Sequence, residues 1–337
     1  MRPLVLLCAS PRSREDLFDP MAWAVLTEEF EVVEYTLPAD ASFDEVLPRA
    51  FAVVGQPRLT AQRLQRAESL RVIANVEGNF LPNVDYDAAL SRGIHVLSCG
   101  PAYAQPVAEY ALALALDLGR GITRADRDFR AGVERYTVDG NADSILLRHA
   151  DVGLLGFGGI ARALLPLLRP FAPRLRAYDP WLPDGLLREA EVEPVPLEEL
   201  LRRSTYVFVL ATVTEQSTHL LDAARLDLLP PRARLVVVSR AAIVDFTALY
   251  ERVRAGRLLA AVDVWPQEPV ALDDEARSLD GMVLSAHRAG GIASAFRLIG
   301  DMVLDDLRLV ASGLPPVRLQ RAERELVRRY RNRPVEA

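Results

Sequence analysis

The 337 residues contain no lysine; all 40 basic side chains are arginine. That absence excludes Schiff-base catalysis, pyridoxal phosphate attachment and the phosphate-binding P-loop, each of which needs a lysine amine. It also excludes dehydrogenases built on a Tyr/Lys pair. Cysteine is nearly absent too. Cys8 and Cys99 are too few for a disulfide scaffold or a multi-cysteine zinc site, so no metal is expected and a reducing cytoplasm fits. No apolar run reaches the roughly 18 residues that cross a bilayer. The apolar opening Leu4–Ala9 is followed at once by Pro11, Arg12, Arg14 and Glu15, so it reads as a buried first strand rather than an export signal. A net charge of −6 gives no general attraction to nucleic acid or to an anionic membrane. What is present is ordinary for a globular chain: half the residues are hydrophobic and 26% are charged. The length suggests two domains, at about 150 residues each. Heavy use of Arg, Ala, Leu and Pro suggests a GC-rich bacterial genome.

Strand and helix patterns alternate almost throughout, which predicts parallel sheets with helices on both faces. The first hundred residues offer strands at Leu4–Cys8, Glu31–Tyr35, Ala52–Val54, Arg71–Ala74 and His95–Leu97. A long helix is predicted over Ala102–Ile122, with Val107, Tyr110, Ala111, Leu114 and Leu118 at helical spacing. A second series follows at Val152–Leu155, Arg174–Tyr178, Tyr206–Leu210, Arg234–Val238, Leu259–Val264 and Met282–Ser285, enough for a complete doubly wound nucleotide-binding sheet. A last helix is expected near Ser294–Ser312. The arginine-rich stretch Arg318–Arg333 reads as a solvated helix rather than a nucleic-acid arm.

The strand at Val152 runs into Gly156-Phe157-Gly158-Gly159-Ile160-Ala161, a G-x-G-x-x-A turn. Gly156 permits the tight turn, Gly158 lets backbone approach a pyrophosphate, and Ala161 lets the helix pack on the strand. The helix opening at Gly159 and Ile160 points its amides at the phosphates. Asp179 ends the next strand 23 residues after Gly156, where a carboxylate accepts hydrogen bonds from ribose hydroxyls. No arginine stands beside it to receive a 2′-phosphate, which favours NAD over NADP.

Nicotinamide chemistry on a hydroxy or keto acid needs a cation for the carboxylate and an acid/base for the hydroxyl proton. Arg240, Glu268 and His287 each follow a predicted strand of one sheet, at the edge where open α/β sheets bind ligands. With these residues the chain resembles the D-isomer-specific 2-hydroxyacid dehydrogenases, the family of phosphoglycerate, glycerate, formate and phosphite dehydrogenases. The matching stretches are Gly156–Ala161 with Asp179-Pro180, Val107-Ala108-Glu109, Ser239-Arg240-Ala241, Asp263–Pro269 and Ala286–Gly290. The resemblance implies that His287 is the general acid/base, that Glu268 orients it and stabilises its charged form, and that Arg240 binds the substrate carboxylate and carbonyl. It places Asp263 near the nicotinamide carboxamide and Thr212 and Thr214 beside the cofactor. It further implies a homodimer built on the long helix, and two Rossmann-like domains with the active site in a cleft. Residues 1–99 and 291–337 would be the substrate domain and residues 100–290 the NAD domain, the chain crossing near Gly100 and Gly290.

The chain departs from the family pattern in places. Ala241 replaces a glycine, Ala286 a proline, and Thr212 stands at a proline position. The substrate loop, whose amides would receive the carboxylate, reads Val76-Glu77-Gly78-Asn79-Phe80, with Phe80 near a usual second glycine and without the lysine of phosphite dehydrogenases. Glu77 is awkward there unless it faces solvent or pairs with an arginine. Arg288 and Arg297, with Arg240, offer a doubly charged substrate head such as a phosphonate; a solvated helix face is the plainer alternative. The function expected is NAD-dependent oxidation of a small anionic 2-hydroxy acid. A phosphonate-bearing alcohol or aldehyde is an alternative substrate, and an NAD-sensing protein like the C-terminal-binding-protein corepressors is an alternative of another class. His95, His149 and His219 read as structural.

Overall fold

The structure, a computed structural model, describes residues 2–329. The chain divides into two compact units, one of the residues up to Tyr103 with those from Gly291 onward, the other Ala104–Gly290.

In the first unit, among the described residues, six strands form one sheet: β1 (Leu4–Cys8), β2 (Glu31–Glu34), β3 (Ala50–Gly55), β4 (Val72–Asn75), β5 (His95–Ser98) and, far along the chain, β13 (Gln320–Arg321). Their order is β13-β5-β4-β3-β1-β2, parallel except for β13, which pairs antiparallel with β5. β1 shows why such strands are continuous apolar runs. Val5 and Leu7 face one layer, with Leu26, Ile299 and Val303, while Leu4, Leu6 and Cys8 face the other, with Phe43, Leu64 and Ala89. Both faces are covered, so no position in the strand is left polar.

The second unit carries β6 (Asp151–Leu155), β7 (Arg174–Tyr178), β8 (Glu193–Pro194), β9 (Tyr206–Val209), β10 (Ala233–Val237), β11 (Leu258–Val262) and β12 (Met282–Leu284). All are parallel, in the order β12-β11-β10-β9-β6-β7-β8. Winding reverses between β6 and β9, and the loops after these strands flank the crevice that this reversal opens. At the other end of β6, Asp151 is held by Arg174 at 2.5 Å and by the buried Arg176 at 2.8 Å. Hydrogen bonding to Arg174 outweighs the opposing effect of burial and, with the other charges of the pair, pulls the Asp151 carboxyl down to about 2.

Eleven expected strands are found within a residue or two of their predicted limits. β8 and β13 have only two residues each and, being largely exposed, lack the apolar signal. β13 also corrects the reading of the arginine-rich stretch as one solvated helix. Within the described residues only Arg324–Arg329 is helical, Arg324 pairs with Asp87 at 3.4 Å, and residues 330–333 lie outside them. The long helix runs Gly100–Arg120 and stops at Gly121, whose φ is +62°. A second helix, Ile122–Ala131, continues from there, a break that apolar periodicity does not register. No described helix is long and apolar enough to cross a membrane.

Candidate active site

The glycine turn sits at the carboxyl end of β6. Gly156 has φ +92°, and a Cβ there would lie 2.7 Å from the Ala211 Cα, on the loop after β9. Only glycine fits both restraints. Its amide donates to the Tyr178 carbonyl at 2.9 Å, tying the turn to the end of β7. Gly158 is the N-cap of the helix Gly159–Leu168 and offers no side-chain cap; a Cβ at Gly158 would meet nothing within 4 Å. The first amides of that helix, at Gly159 and Ile160, meet no side-chain cap, and the exposed Gly158 and Gly159 leave backbone accessible at the positive end of the helix dipole. Ala161 is fully buried against the sheet. Asp179 closes the turn. One carboxylate oxygen accepts from the Phe157 amide at 2.8 Å and the other from the Trp181 amide at 3.0 Å. A carboxylate has about four acceptor positions, so acceptor capacity remains for ribose hydroxyls. The open amides and the placed carboxylate fit the diphosphate and ribose of a dinucleotide.

Arg240 follows β10, Glu268 follows β11 and His287 follows β12, three neighbouring strands of the same edge. The His287 Nδ1 lies 2.8 Å from a Glu268 oxygen. The other Glu268 oxygen accepts from the Trp265 amide at 3.0 Å, so the carboxylate is fixed from both sides. Burial pushes the Glu268 carboxyl up. The hydrogen bonds from His287 and Trp265, with the charges of His287 and Arg240, outweigh this and hold it below the usual range. All three expected side chains thus share one electrostatic neighbourhood. Arg240 is braced by its Nη1, which donates to the Ser239 carbonyl at 2.7 Å.

The histidine loop is held by a residue expected to do something else. Asp263 is fully buried. Its carboxylate accepts from the Arg288 amide at 2.9 Å and the Ala289 amide at 3.0 Å, and its carbonyl accepts from the His287 amide at 2.7 Å. His287 takes φ +51°, a left-handed conformation unusual outside glycine, and these three bonds hold it there. Asp263 therefore latches the loop, whatever else its position serves. The Trp265 indole adds a bond to the Ser285 carbonyl at 2.7 Å, and the hydroxyls of Tyr110 and Ser285 lie 2.6 Å apart. Residue type alone gave no signal for these supports. Asp263, Trp265 and Ser285 lie within three residues of a strand end, whereas Tyr110 reaches in from the long helix.

Thr212 gives its carbonyl to the Ser217 hydroxyl at 2.8 Å, and buried Thr214 donates its amide to the same hydroxyl at 2.7 Å, so both shape the loop after β9. The Arg288 side chain is exposed. Arg297 belongs to the other unit, on the helix Ala293–Ala311. His149 bonds the Ala172 carbonyl through Nδ1, and the His219 amide donates to the Ala242 carbonyl. No group of acids, histidines and cysteines arranged for a metal occurs among the described residues.

Val76, Glu77 and Gly78 lie after β4 in the first unit. The Val76 amide is taken by the Gln56 side-chain oxygen at 3.1 Å. Glu77 does not simply face solvent: its carboxylate lies 3.3 Å from Arg12.

Residues 112–289 match the family model described as D-isomer specific 2-hydroxyacid dehydrogenase, NAD binding domain. A hydroxypyruvate reductase of Thermotoga maritima is 31% identical over 281 residues, 81% of this chain and 88% of that protein. A D-3-phosphoglycerate dehydrogenase of Archaeoglobus fulgidus is 30% identical over 268 residues, 79% of this chain but 50% of that protein, so this chain spans about half the length of that relative. A crystal structure of a phosphoglycerate oxidoreductase from Rhizobium etli is 43% identical, with a TM-score of 0.87 over 96% of this chain and 99% of that one.

Proposed function

Because the chain belongs to the D-isomer-specific 2-hydroxyacid dehydrogenase family, we propose that it catalyses the reversible, NAD-dependent interconversion of a small 2-hydroxy acid and its 2-keto acid. The observation that carries this reading is the His287–Glu268 pair, 2.8 Å apart, on the strand edge that also holds Arg240 and the glycine turn. NAD, when bound, supplies the hydride acceptor. Glu268 occupies His287 Nδ1, which leaves Nε2 to take the hydroxyl proton in oxidation and return it in reduction. Arg240 presents a planar, permanently charged fork suited to a carboxylate and its neighbouring carbonyl. The turn residues Gly156, Gly158, Gly159 and Ile160 hold the diphosphate, and Asp179 the ribose. The loop Val76–Gly78 receives the substrate carboxylate. The relatives' names point to glyoxylate, hydroxypyruvate and phosphoglycerate-type acids.

The test is loss of reduced nicotinamide absorbance with a panel of 2-keto acids and keto phosphonates. Turnover of glyoxylate or hydroxypyruvate with NADH is expected. An NADH preference of at least about fivefold over NADPH should accompany it, since a 2′-phosphate near Asp179 meets repulsion on the order of 1 kcal/mol. Changing Asp179 to serine should erode that preference. Tight NADH binding with no turnover of any acid would leave an NAD sensor as the reading, and turnover of phosphonates alone would replace the substrate class.

The same reading makes the protein a cytoplasmic homodimer. Supporting the dimer, helix Ile122–Ala131 buries no side chain, and Ile122, Phe129, Tyr136 and Val138 are 58–76% exposed. Apolar groups clustered this way mark an interaction surface. Light scattering should give twice the chain mass at micromolar concentration, and a Phe129→Asp, Tyr136→Asp variant should give the chain mass itself. A wild-type monomer under those conditions ends the dimer proposal.

A further inference from the structure

β1, β3 and β4 are adjacent in the first sheet, and winding reverses between β1 and β3. Ligands of open α/β sheets bind at the carboxyl ends of the strands beside such a reversal. Three loops leave that edge, carrying Arg12 after β1, Gln56 after β3 and Glu77 after β4. Gln56 pins the Val76 amide. The next two amides, at Glu77 and Gly78, meet no acceptor among the described residues. A loop that offers amides to an anion while carrying a carboxylate opposes its own task.

Arg12 resolves the conflict. Its Nη2 lies 3.3 Å from the Glu77 carboxylate, with both side chains more than two-thirds buried. The guanidinium lies over the Phe296 ring, 4.2 Å from its centroid, so it is held between an aromatic face and an acid. The Arg12 Nε is buried without a hydrogen-bond partner, and the Glu77 oxygen nearest Arg12 meets it as an ion pair only, while the Tyr103 hydroxyl lies within the influence of both Arg12 and Glu77. The pairing of Arg12 with Glu77 is one of charge, with the Phe296 ring and the Tyr103 hydroxyl beside the guanidinium, and no other acid lies within ion-pair distance of Arg12 among the described residues.

We propose that Arg12 is a positioning residue that cancels the Glu77 charge and so lets the Val76–Gly78 loop accept an anionic substrate. The inference rests on the proposed role of that loop in carboxylate binding. It identifies Arg12, outside every stretch that carried the family resemblance, as a determinant of substrate affinity.

The experiment is a charge cycle read in KM and kcat for the best keto acid found, with NADH. Arg12→Gln should raise KM by about tenfold or more with little change in kcat, because an uncompensated acid now faces the anion. Added salt should shrink the defect. Arg12→Lys should recover most of the loss. Glu77→Gln should lower KM, and the Arg12→Gln, Glu77→Gln double variant should return KM to within about threefold of wild type, as a charge-coupled pair requires. A double variant as poor as Arg12→Gln overturns the proposal, since the arginine would then act through packing alone. Gly78→Ala separates this from failure of the underlying reading. Its Cβ would lie 2.9 Å from the Tyr103 ring, so the loop or the ring must shift at the amides proposed to receive the carboxylate. If Gly78→Ala moves KM and Arg12→Gln does not, the compensation idea falls alone; if neither moves it, the loop does not bind the substrate and both fall. NADH affinity and the melting temperature of each variant report whether it folds.

Discussion

His287→Ala should lower kcat for keto-acid reduction by about 100-fold or more while NADH binding stays intact, because positioned acid/base groups contribute roughly 10²–10⁴-fold. The imidazole is about half exposed, with Nδ1 on Glu268, so removing it opens no core cavity. The effect should fall on the chemical step rather than on stability. Glu268→Gln should lower kcat less, since the amide keeps the shape of the contact but loses the charge that supports an imidazolium. The pH behaviour has a definite sign. The Glu268 carboxyl is held below its ordinary range in the fold. Its support of the pair is therefore present above the ordinary glutamate value and is lost only as pH falls through the lowered one. Activity across neutral pH should show no limb from Glu268. Stopped-flow reduction rates and NADH fluorescence titration measure the two halves of the expectation. A His287→Ala enzyme that turns over within threefold of wild type removes the acid/base assignment.

The site was legible in the sequence where chemistry demanded a particular residue at a strand end, and hidden where it demanded only a shape. Gly156 announced itself because an L side chain cannot enter that turn. Arg240, Glu268 and His287 were visible because each follows a strand of one sheet, and Glu268 and His287 lie 2.8 Å apart at that edge. Glu77 was visible only as a contradiction. Its partner Arg12 stands 65 positions earlier in the chain, and the β1–β3–β4 adjacency that unites them follows from sheet order, which no local pattern encodes. β8 and β13 were hidden because two exposed residues carry no periodicity. The latch that Asp263 forms was hidden for a different reason: the resemblance implied only a place near the nicotinamide, and that its carboxylate accepts two loop amides follows from the folded path of the chain.

Asp263→Ala should be the most damaging single change in the second unit. The aspartate is fully buried, and both carboxylate oxygens accept amides from the loop that carries His287. Its loss leaves the Arg288 and Ala289 amides without partners, at about 1–3 kcal/mol each where water cannot replace the acceptor. Urea unfolding should show a loss of roughly 2–4 kcal/mol, less if water enters the vacated space. The catalytic loss should be larger than the stability loss suggests. His287 occupies a left-handed backbone conformation at φ +51° that only its surroundings impose, and freeing the loop lets it relax. A displacement of about 1 Å at a reacting group can cost 100-fold. Asp263→Asn discriminates between charge and geometry. It keeps one acceptor but turns an amide N–H₂ toward a backbone N–H, so one bond becomes a repulsion. It should fall between wild type and alanine in stability, yet close to alanine in kcat. An asparagine variant with near-normal kcat would mean that one loop bond suffices to place the imidazole, and that the Glu268 contact, rather than the Asp263 latch, sets its position.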